Sequence, residues 1–200
     1  VKGKVKFENV SRYYPGPLEV TENPWIQWAT VQPQHLTPDL DDAREMGRKA
    51  IKALGLSTGF THMEWFRRDD GTLAIGEIAA RPPGANFVEM MGFGHDADMY
   101  KAWARAIVDE AFDGPFERKY AVGCAYLRGL GRGRVQRVTG VKEAQDKVKG
   151  LVMKAKLPRV GQPKSDHYEG DGYVIVRHPD TELVKRAVKI IIETIRIEYA

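Results

Sequence analysis

Two glutamates, Glu64 and Glu77, have the residue type and spacing to do chemistry. They lie in Thr61-His62-Met63-Glu64-Trp65-Phe66 and in Leu73-Ala74-Ile75-Gly76-Glu77-Ile78-Ala79-Ala80-Arg81-Pro82-Pro83-Gly84-Ala85-Asn86, with Asp69-Asp70-Gly71 between the two stretches. Asp-Gly flanked by alternating apolar residues is the strongest short-range hairpin signal. With Asp70-Gly71 as a two-residue turn, Arg68 faces Leu73, Phe66 faces Ile75 and Glu64 faces Glu77. Directly opposed side chains have Cβ atoms ~5 Å apart, and like charges there destabilise a hairpin. The register also predicts Phe60, Phe66, Leu73 and Ile75 on the same face as the carboxylates, where a bare charge pair is costlier still.

A cation between the carboxylates would relieve that repulsion. Mg²⁺ suits two carboxylates because it keeps its remaining positions for waters and phosphate oxygens. Arg81, two pleats beyond Glu77, adds a guanidinium fork that matches a phosphate group. On spacing alone the pair is equally a solvated surface pair with Lys or Arg neighbours. An odd-length loop or a one-residue slip would send the two carboxylates to opposite faces. His62 shares their face by parity and reads either as a ligand of substrate or metal shell or as a hydrogen-bonded core histidine.

The elements that must position these groups are mixed. Val5, Phe7 and Val10 predict an opening strand that Pro15-Gly16-Pro17 ends in a loop, and Trp25 to Val31 a second strand. Thr37-Pro38 reads as the start of a helix carrying Leu40, Ala43, Met46, Ala50 and Leu54 on one stripe and closed by Gly55. A helix from His95 to Phe112 is expected to bury Ala97, Tyr100, Ala104, Ile107 and Ala111, and Trp65, Trp103 and Met90-Met91 to be core. Asp113-Gly114-Pro115 marks a boundary between residues 1–114 and a smaller lobe, 115–200. In that lobe Tyr120 to Leu127, Gly133 to Val138, Leu151 to Ala155 and Tyr173 to Arg177 predict a small antiparallel sheet. Val141 to Val148 reads as a short helix, and Asp180 caps a long last one burying Leu183, Ala187, Ile190, Ile191 and Ile195. The fold class is α+β.

Composition narrows the alternatives. The 200 residues are 42% hydrophobic and 29% charged, which excludes collagen-like, disordered and disulfide-scaffold classes. A chain of this length buries roughly 70% of its unfolded surface without staples. Its 31 basic and 27 acidic side chains are interspersed, so a net charge of +4 argues little for nucleic acid. Cys124 is alone, which excludes an intrachain disulfide and fits a reducing, cytoplasmic setting. No apolar run approaches the ~18 residues a bilayer span needs, and Val-Lys-Gly-Lys-Val-Lys lacks a signal peptide's apolar stretch. The chain is therefore expected to be neither anchored nor exported by such signals. Opening at Val1 without a Met, it reads as a processed or excised domain. Gly129-Leu130-Gly131-Arg132-Gly133-Arg134 has neither phosphate-loop nor dinucleotide spacing and reads as a glycine-rich hairpin turn. Arg128, Arg132, Arg134 and Arg137 would let a non-catalytic module bind a polyanion, but the aromatics needed to stack bases are sparse there.

Glu64 and Glu77, followed by Ile-Ala-Ala-Arg-Pro-Pro-Gly, resemble the metal-binding end of ATP-grasp enzymes. Only residues 58–88 carry specific motifs, although the likeness extends over most of the chain, including Gly133-Arg134-Val135 and Gly172-Tyr173-Val174-Ile175-Val176. The Glu-x-Ala-Ala-Arg form, with His62, Gly84 and Asn86, is most similar to ATP-grasp L-amino-acid ligases, and purine-pathway carboxylate ligases are the nearest rival. The resemblance implies an ATP-grasp C-terminal subdomain, an antiparallel sheet with helices, plus a small α+β accessory lobe. It implies Mg²⁺ on Glu64 and Glu77, with Mn²⁺ as a substitute, ATP phosphates beside them, and Arg81 on the phosphoryl group in flight. Where many members carry a further Asn ligand this chain has Ala79, so a two-residue metal shell is implied. His62, Gly84 and Asn86 would lie toward substrate. The implied reaction activates a carboxylate as an acyl phosphate and joins it to an amine, an amino acid being the expected partner. A carbamoyl-phosphate-synthase-like enzyme is the alternative within the superfamily. Superfamily members also carry an N-terminal domain, a lid and an adenine hinge, so the resemblance implies the C-terminal half of a larger ligase, inactive by itself. A homodimer through the second-half sheet or last helix is compatible with the pattern.

Overall fold

A computed structural model describes all 200 residues. In chain order the elements are β1 (Arg12–Tyr14), α1 (Pro17–Glu22), β2 (Trp28–Gln32), a 3₁₀ turn (Pro38–Leu40), α2 (Asp41–Ala53), β3 (His62–Arg67), β4 (Leu73–Ala79), α3 (Phe87–His95) and α4 (Met99–Val108). They continue with β5 (Ala121–Leu127), β6 (Val135–Thr139), α5 (Val141–Lys147), β7 (Val152–Lys156), β8 (Gly172–His178), α6 (Thr181–Thr194) and β9 (Arg196–Tyr199). No helix is long and apolar enough to cross a membrane. The chain forms two compact units, Val1–Asn9 with His35–Glu117 and Val10–Gln34 with Arg118–Ala200. The last of the three crossings between them lies a few residues past Asp113-Gly114-Pro115. The segment 10–34, grouped by sequence with the first half, supplies two strands to the sheet of the second unit.

The first unit contains the hairpin. The expected strand over residues 5–10 does not form, because alternation without a neighbouring strand leaves the ladder donors unpaired. The segment is instead fastened by side chains: the Phe7 ring meets His95 edge-on at 5.0 Å, and the Glu8 carboxylate accepts from Arg44 and Arg48 at 2.7–3.0 Å. Burial pushes the Glu8 carboxyl up, but hydrogen bonds from Arg48 and Arg44 and their charge outweigh it and leave it below its ordinary range. α2 begins after the expected Thr37-Pro38 signal, with Ala43 buried and Leu54 exposed beyond its end. The small core is Val88, Met91 and Met99, with Phe7, Phe60, Ala97 and Phe116 packed on it.

The expected stripe on α4 is corrected. Met99, Ala102 and Ala106 are buried, whereas Tyr100 and Ile107 are each 54% exposed and Trp103 is also exposed. The helix is apolar on two sides, so its period permits either face, and the alanine side allows the closer packing. Met90 and Met91 are buried as expected, while Trp65 is half-buried.

The second unit is a five-stranded antiparallel sheet in the order β1-β2-β5-β8-β7, plus the pair β6-β9. Residues 17–22, read as loop from the prolines, form α1, with Pro17 tolerated in the first turn. α6 lies over β5, where Gly123 leaves no room for more: a Cβ there would stand 2.6 Å from Val188 Cγ1 and 2.8 Å from Val184 Cγ1. As expected, Asp180 caps α6, accepting from the N–H groups of Glu182 and Leu183 at 2.8 and 3.2 Å. Of the expected face Ala187, Ile191 and Ile195 are buried, joined by Val184 and Val188, whereas Leu183 and Ile190 are only half-buried. Residues 28 and 126 stack on the other face of the sheet, their rings 3.9 Å apart and 13° from parallel.

Gly129–Arg134 is not a hairpin turn, because β5 pairs with β2 and β8 while β6 pairs with β9. Its glycines serve close approach: a Cβ on Gly129 would strike the Ile197 carbonyl and one on Gly133 the Ala200 carbonyl.

Candidate functional site

The hairpin that carries the glutamates is built from two different registers. At the tip, the Arg68 N–H donates to Thr72 O (2.8 Å) and the Gly71 N–H to Arg68 O (2.9 Å), with Gly71 at φ +83°, so the loop is Asp69-Asp70-Gly71. Its odd length pairs Arg67 with Leu73, Phe66 with Ala74 and Trp65 with Ile75. The expected Phe66–Ile75 and Arg68–Leu73 pairs are therefore absent. A bulge then follows, and beyond it Glu64 pairs with Glu77, Met63 with Ile78 and His62 with Ala79. The two carboxylate-bearing residues are direct cross-strand neighbours, as the two-residue turn predicted, although the turn itself is different.

The bulge also changes which apolar residues share their face. His62, Glu64 and Phe66 stand with Ala79, Glu77 and Ala74, whereas Leu73 and Ile75 join Met63, Trp65 and Arg67 on the other side. That other side meets α2. The Met63 methyl lies 3.2 Å from where a Cβ on Gly47 would be, and Ile75 lines a groove with Met46 and Ala50. Arg67 grips Asp42 through two hydrogen bonds of 2.7 and 2.8 Å, which hold the Asp42 carboxyl below its ordinary range. The carboxylate face thus loses the Leu73 and Ile75 neighbours expected from sequence.

On this face the Glu64 side chain is 39% exposed and that of Glu77 57%. Arg81 Nη2 lies 3.8 Å from Glu77 Oε1, and its Nη1 donates to the Pro82 carbonyl at 3.0 Å. His62 Nε2 lies 3.5 Å from Glu64 Oε1, with the ring largely buried. One ladder therefore brings His62, Glu64 and Glu77 together, and Arg81, two residues past β4, reaches back to Glu77. Gly84 and Asn86 sit farther along, in the loop entering α3. The Gly84 carbonyl accepts from Phe87 N–H at 3.3 Å, Ala85 takes a left-handed φ of +47°, and Asn86 Nδ2 donates to Glu89 Oε2 at 3.5 Å instead of capping the helix.

The donor set fits a hard cation of the Mg²⁺ kind. Two carboxylates face each other from adjacent strands, both reachable from solvent, with a guanidinium at the edge for an anion. No group of three or more His, Cys, Asp or Glu is placed to hold a metal, so the arrangement is a pair and not a cage. A pair suits Mg²⁺, which binds through one or two carboxylates and substrate phosphates. Three of the four arginines that would make a polyanion surface are engaged otherwise: Arg137 forks Glu198 at 2.7–3.2 Å, Arg134 donates to Gly161 O at 2.7 Å, and Arg128 donates to Val20 O at 3.2 Å. Sequence reasoning missed Gly76 at the bulge, whose signal was a glycine inside a strand pattern.

No protein-family model matches the chain, and no curated protein does. Solved structures do. The L-amino acid ligase from Bacillus licheniformis superposes with a TM-score of 0.70 at 18% identity, over 86% of this chain and 46% of that one. N5-carboxyaminoimidazole ribonucleotide synthetase from Thermotoga maritima gives 0.64 at 19% identity, again over 86% and 46%. The biotin carboxylase domain dimer of Hydrogenobacter thermophilus 2-oxoglutarate carboxylase, solved with MgADP and bicarbonate, gives 0.58 at 17%, over 85% and 39%. The chain thus spans less than half the length of these structures, and what it shares with them is their fold, α+β with antiparallel sheets.

Proposed function

We propose that this chain is the metal- and phosphate-binding part of an ATP-dependent ligase that activates a carboxylate and joins it to an amine. The observation that carries the reading is the direct pairing of Glu64 with Glu77 on an exposed strand face, with Arg81 within 3.8 Å of Glu77. Glu64 and Glu77 would hold Mg²⁺, which when bound neutralises charge on the β- and γ-phosphates of ATP. Arg81 would leave its loose contact with Glu77 and fork the phosphoryl group, supplying charge where it develops during transfer. His62 would orient the Glu64 carboxylate from 3.5 Å and touch substrate. Gly84 would leave the loop before α3 open for close approach, and Asn86 would add a polar group at that helix start. No enzyme nucleophile is needed, since the carboxylate substrate would attack the γ-phosphorus of ATP with ADP as the leaving group, and the amine would then attack the acyl carbon, expelling phosphate and losing a proton.

The L-amino acid ligase likeness favours an amino acid as one substrate, and the purine-pathway likeness keeps a purine precursor as the alternative. The structure solved with MgADP supports ATP and Mg²⁺ as the cofactors, with Mn²⁺ as a working probe. The test is Mn²⁺ binding to the chain with and without ADP, in the wild type and in Glu77→Ala. Binding strengthened by ADP in the wild type and lost in the variant is expected. Equal binding in the two would make the glutamates a surface pair and overturn the reading.

A further inference from the structure

Residues 73, 75 and 77 share parity, and in an unbroken strand they would occupy one face. In β4 they do not. Leu73 and Ile75 pair with Arg67 and Trp65 on the side of α2, where Ile75 lines a groove with Met46 and Ala50, whereas Glu77 pairs with Glu64 on the opposite side. The strand changes face at Gly76, the extra residue of the bulge.

Two requirements conflict in this hairpin. The loop Asp69-Asp70-Gly71 sets the tip register, and extended unbroken to the base that register would pair Glu64 with Gly76 and send Glu77 to the face of Met63. Extending the base register to the tip would keep Glu77 opposite Glu64 but swing Leu73 and Ile75 away from α2. The bulge meets both requirements. A Cβ on residue 76 would stand 2.7 Å from Cε2 of the Phe66 ring that lies across it, so a larger residue there must push that ring aside.

We infer that Gly76 is a positioning residue for the carboxylate pair: its bulge lets Ile75 anchor the hairpin to α2 while Glu77 is presented beside Glu64. That the positioned pair serves a cation rests on the function proposed above, whereas the change of face does not.

The test uses the full chain in two forms, Gly76→Val and a deletion of Gly76, each followed by NMR contacts and by Mn²⁺ binding. The deletion leaves Ile75 and Glu77 adjacent, so simple alternation puts them on opposite faces and no bulge is required. The wild type and the deletion should both show contacts between Ile75 and Met46 together with contacts between residues 64 and 77. In the deletion, Mn²⁺ affinity should stay within about threefold of the wild type. In Gly76→Val only one of the two contacts should persist. Mn²⁺ affinity should then follow the 64–77 contact, weakening about tenfold or more where it is lost. Both contacts surviving in Gly76→Val, or either one vanishing in the deletion, would overturn the inference. If contacts behave as expected but no form binds Mn²⁺, the change of face stands and the cation reading falls.

Discussion

The β3-β4 hairpin and the β2-β5-β8 ladder are both antiparallel, yet different forces hold them. The ladder runs through seven consecutive pairs between β5 and β8 without a break, and its side chains are buried on both faces, Trp28, Cys124, Tyr126 and Ile175 on one and Ala29, Ala125 and Val176 on the other. The hairpin has two strands, an interrupted register, and no fully buried side chain. It rests on α2 through Met63, Ile75 and the exposed Arg67–Asp42 pair. Strong burial leaves a strand no freedom to present bare charges, since a buried charge without a partner is too costly. The candidate chemistry lies on the thinner structure because only there can two carboxylates face solvent and still be held in register.

That contrast can be broken by mutation. Trp28→Ala in the ladder should cost about 4 kcal/mol, the range for a fully buried large aromatic, read as a lower urea midpoint for the second unit. Gly123→Leu should cost ~2 kcal/mol by driving side-chain atoms into Val184 and Val188. Glu77→Gln in the hairpin should weaken Mn²⁺ binding about tenfold or more, ~1.4 kcal/mol, with no change in the midpoint. A large loss of stability there would mean that the pair is structural and would erase the contrast. Ile75→Ala should cost about 1 kcal/mol, because the side chain is already 40% exposed.

The smallest effect concerns pH. The Glu8 carboxyl is lowered in the folded chain, so its contribution is present above its unfolded pKa of ~4.3 and is lost as pH falls through the lower folded value. Glu8→Gln should flatten the acid limb of stability below about pH 4.3, measured by thermal melts across the acid range.

Legibility followed the kind of information each element needs. The hairpin, the start of α2, the cap of α6 and the strands at 121–127 and 172–178 were all readable, because turn residues, caps and apolar runs act within a few residues. Glu64, Glu77 and Arg81 were readable as a set for the same reason, their spacing being local. The face of α4 was not: Ala97, Tyr100, Ala104, Ile107 and Ala111 form as good a stripe as Met99, Ala102 and Ala106, and periodicity does not say which one a core will take. The membership of residues 12–32 in the second unit's sheet was hidden too, since β2 finds β5 some ninety residues later.

The hairpin shows the division most plainly. Its residues alone determined that two strands would meet at Asp69-Asp70-Gly71 and that Glu64 and Glu77 would lie within one register position of each other, because alternation and turn chemistry are properties of neighbours. Which loop length closed it, where the register slipped, and that Ile75 and Glu77 would part to opposite faces were decided by the tertiary structure. α2 demanded apolar contact from the tip, the Phe66 ring lay across Gly76, and a strand whose residues 73, 75 and 77 share parity could meet both conditions only with a bulge between 75 and 77.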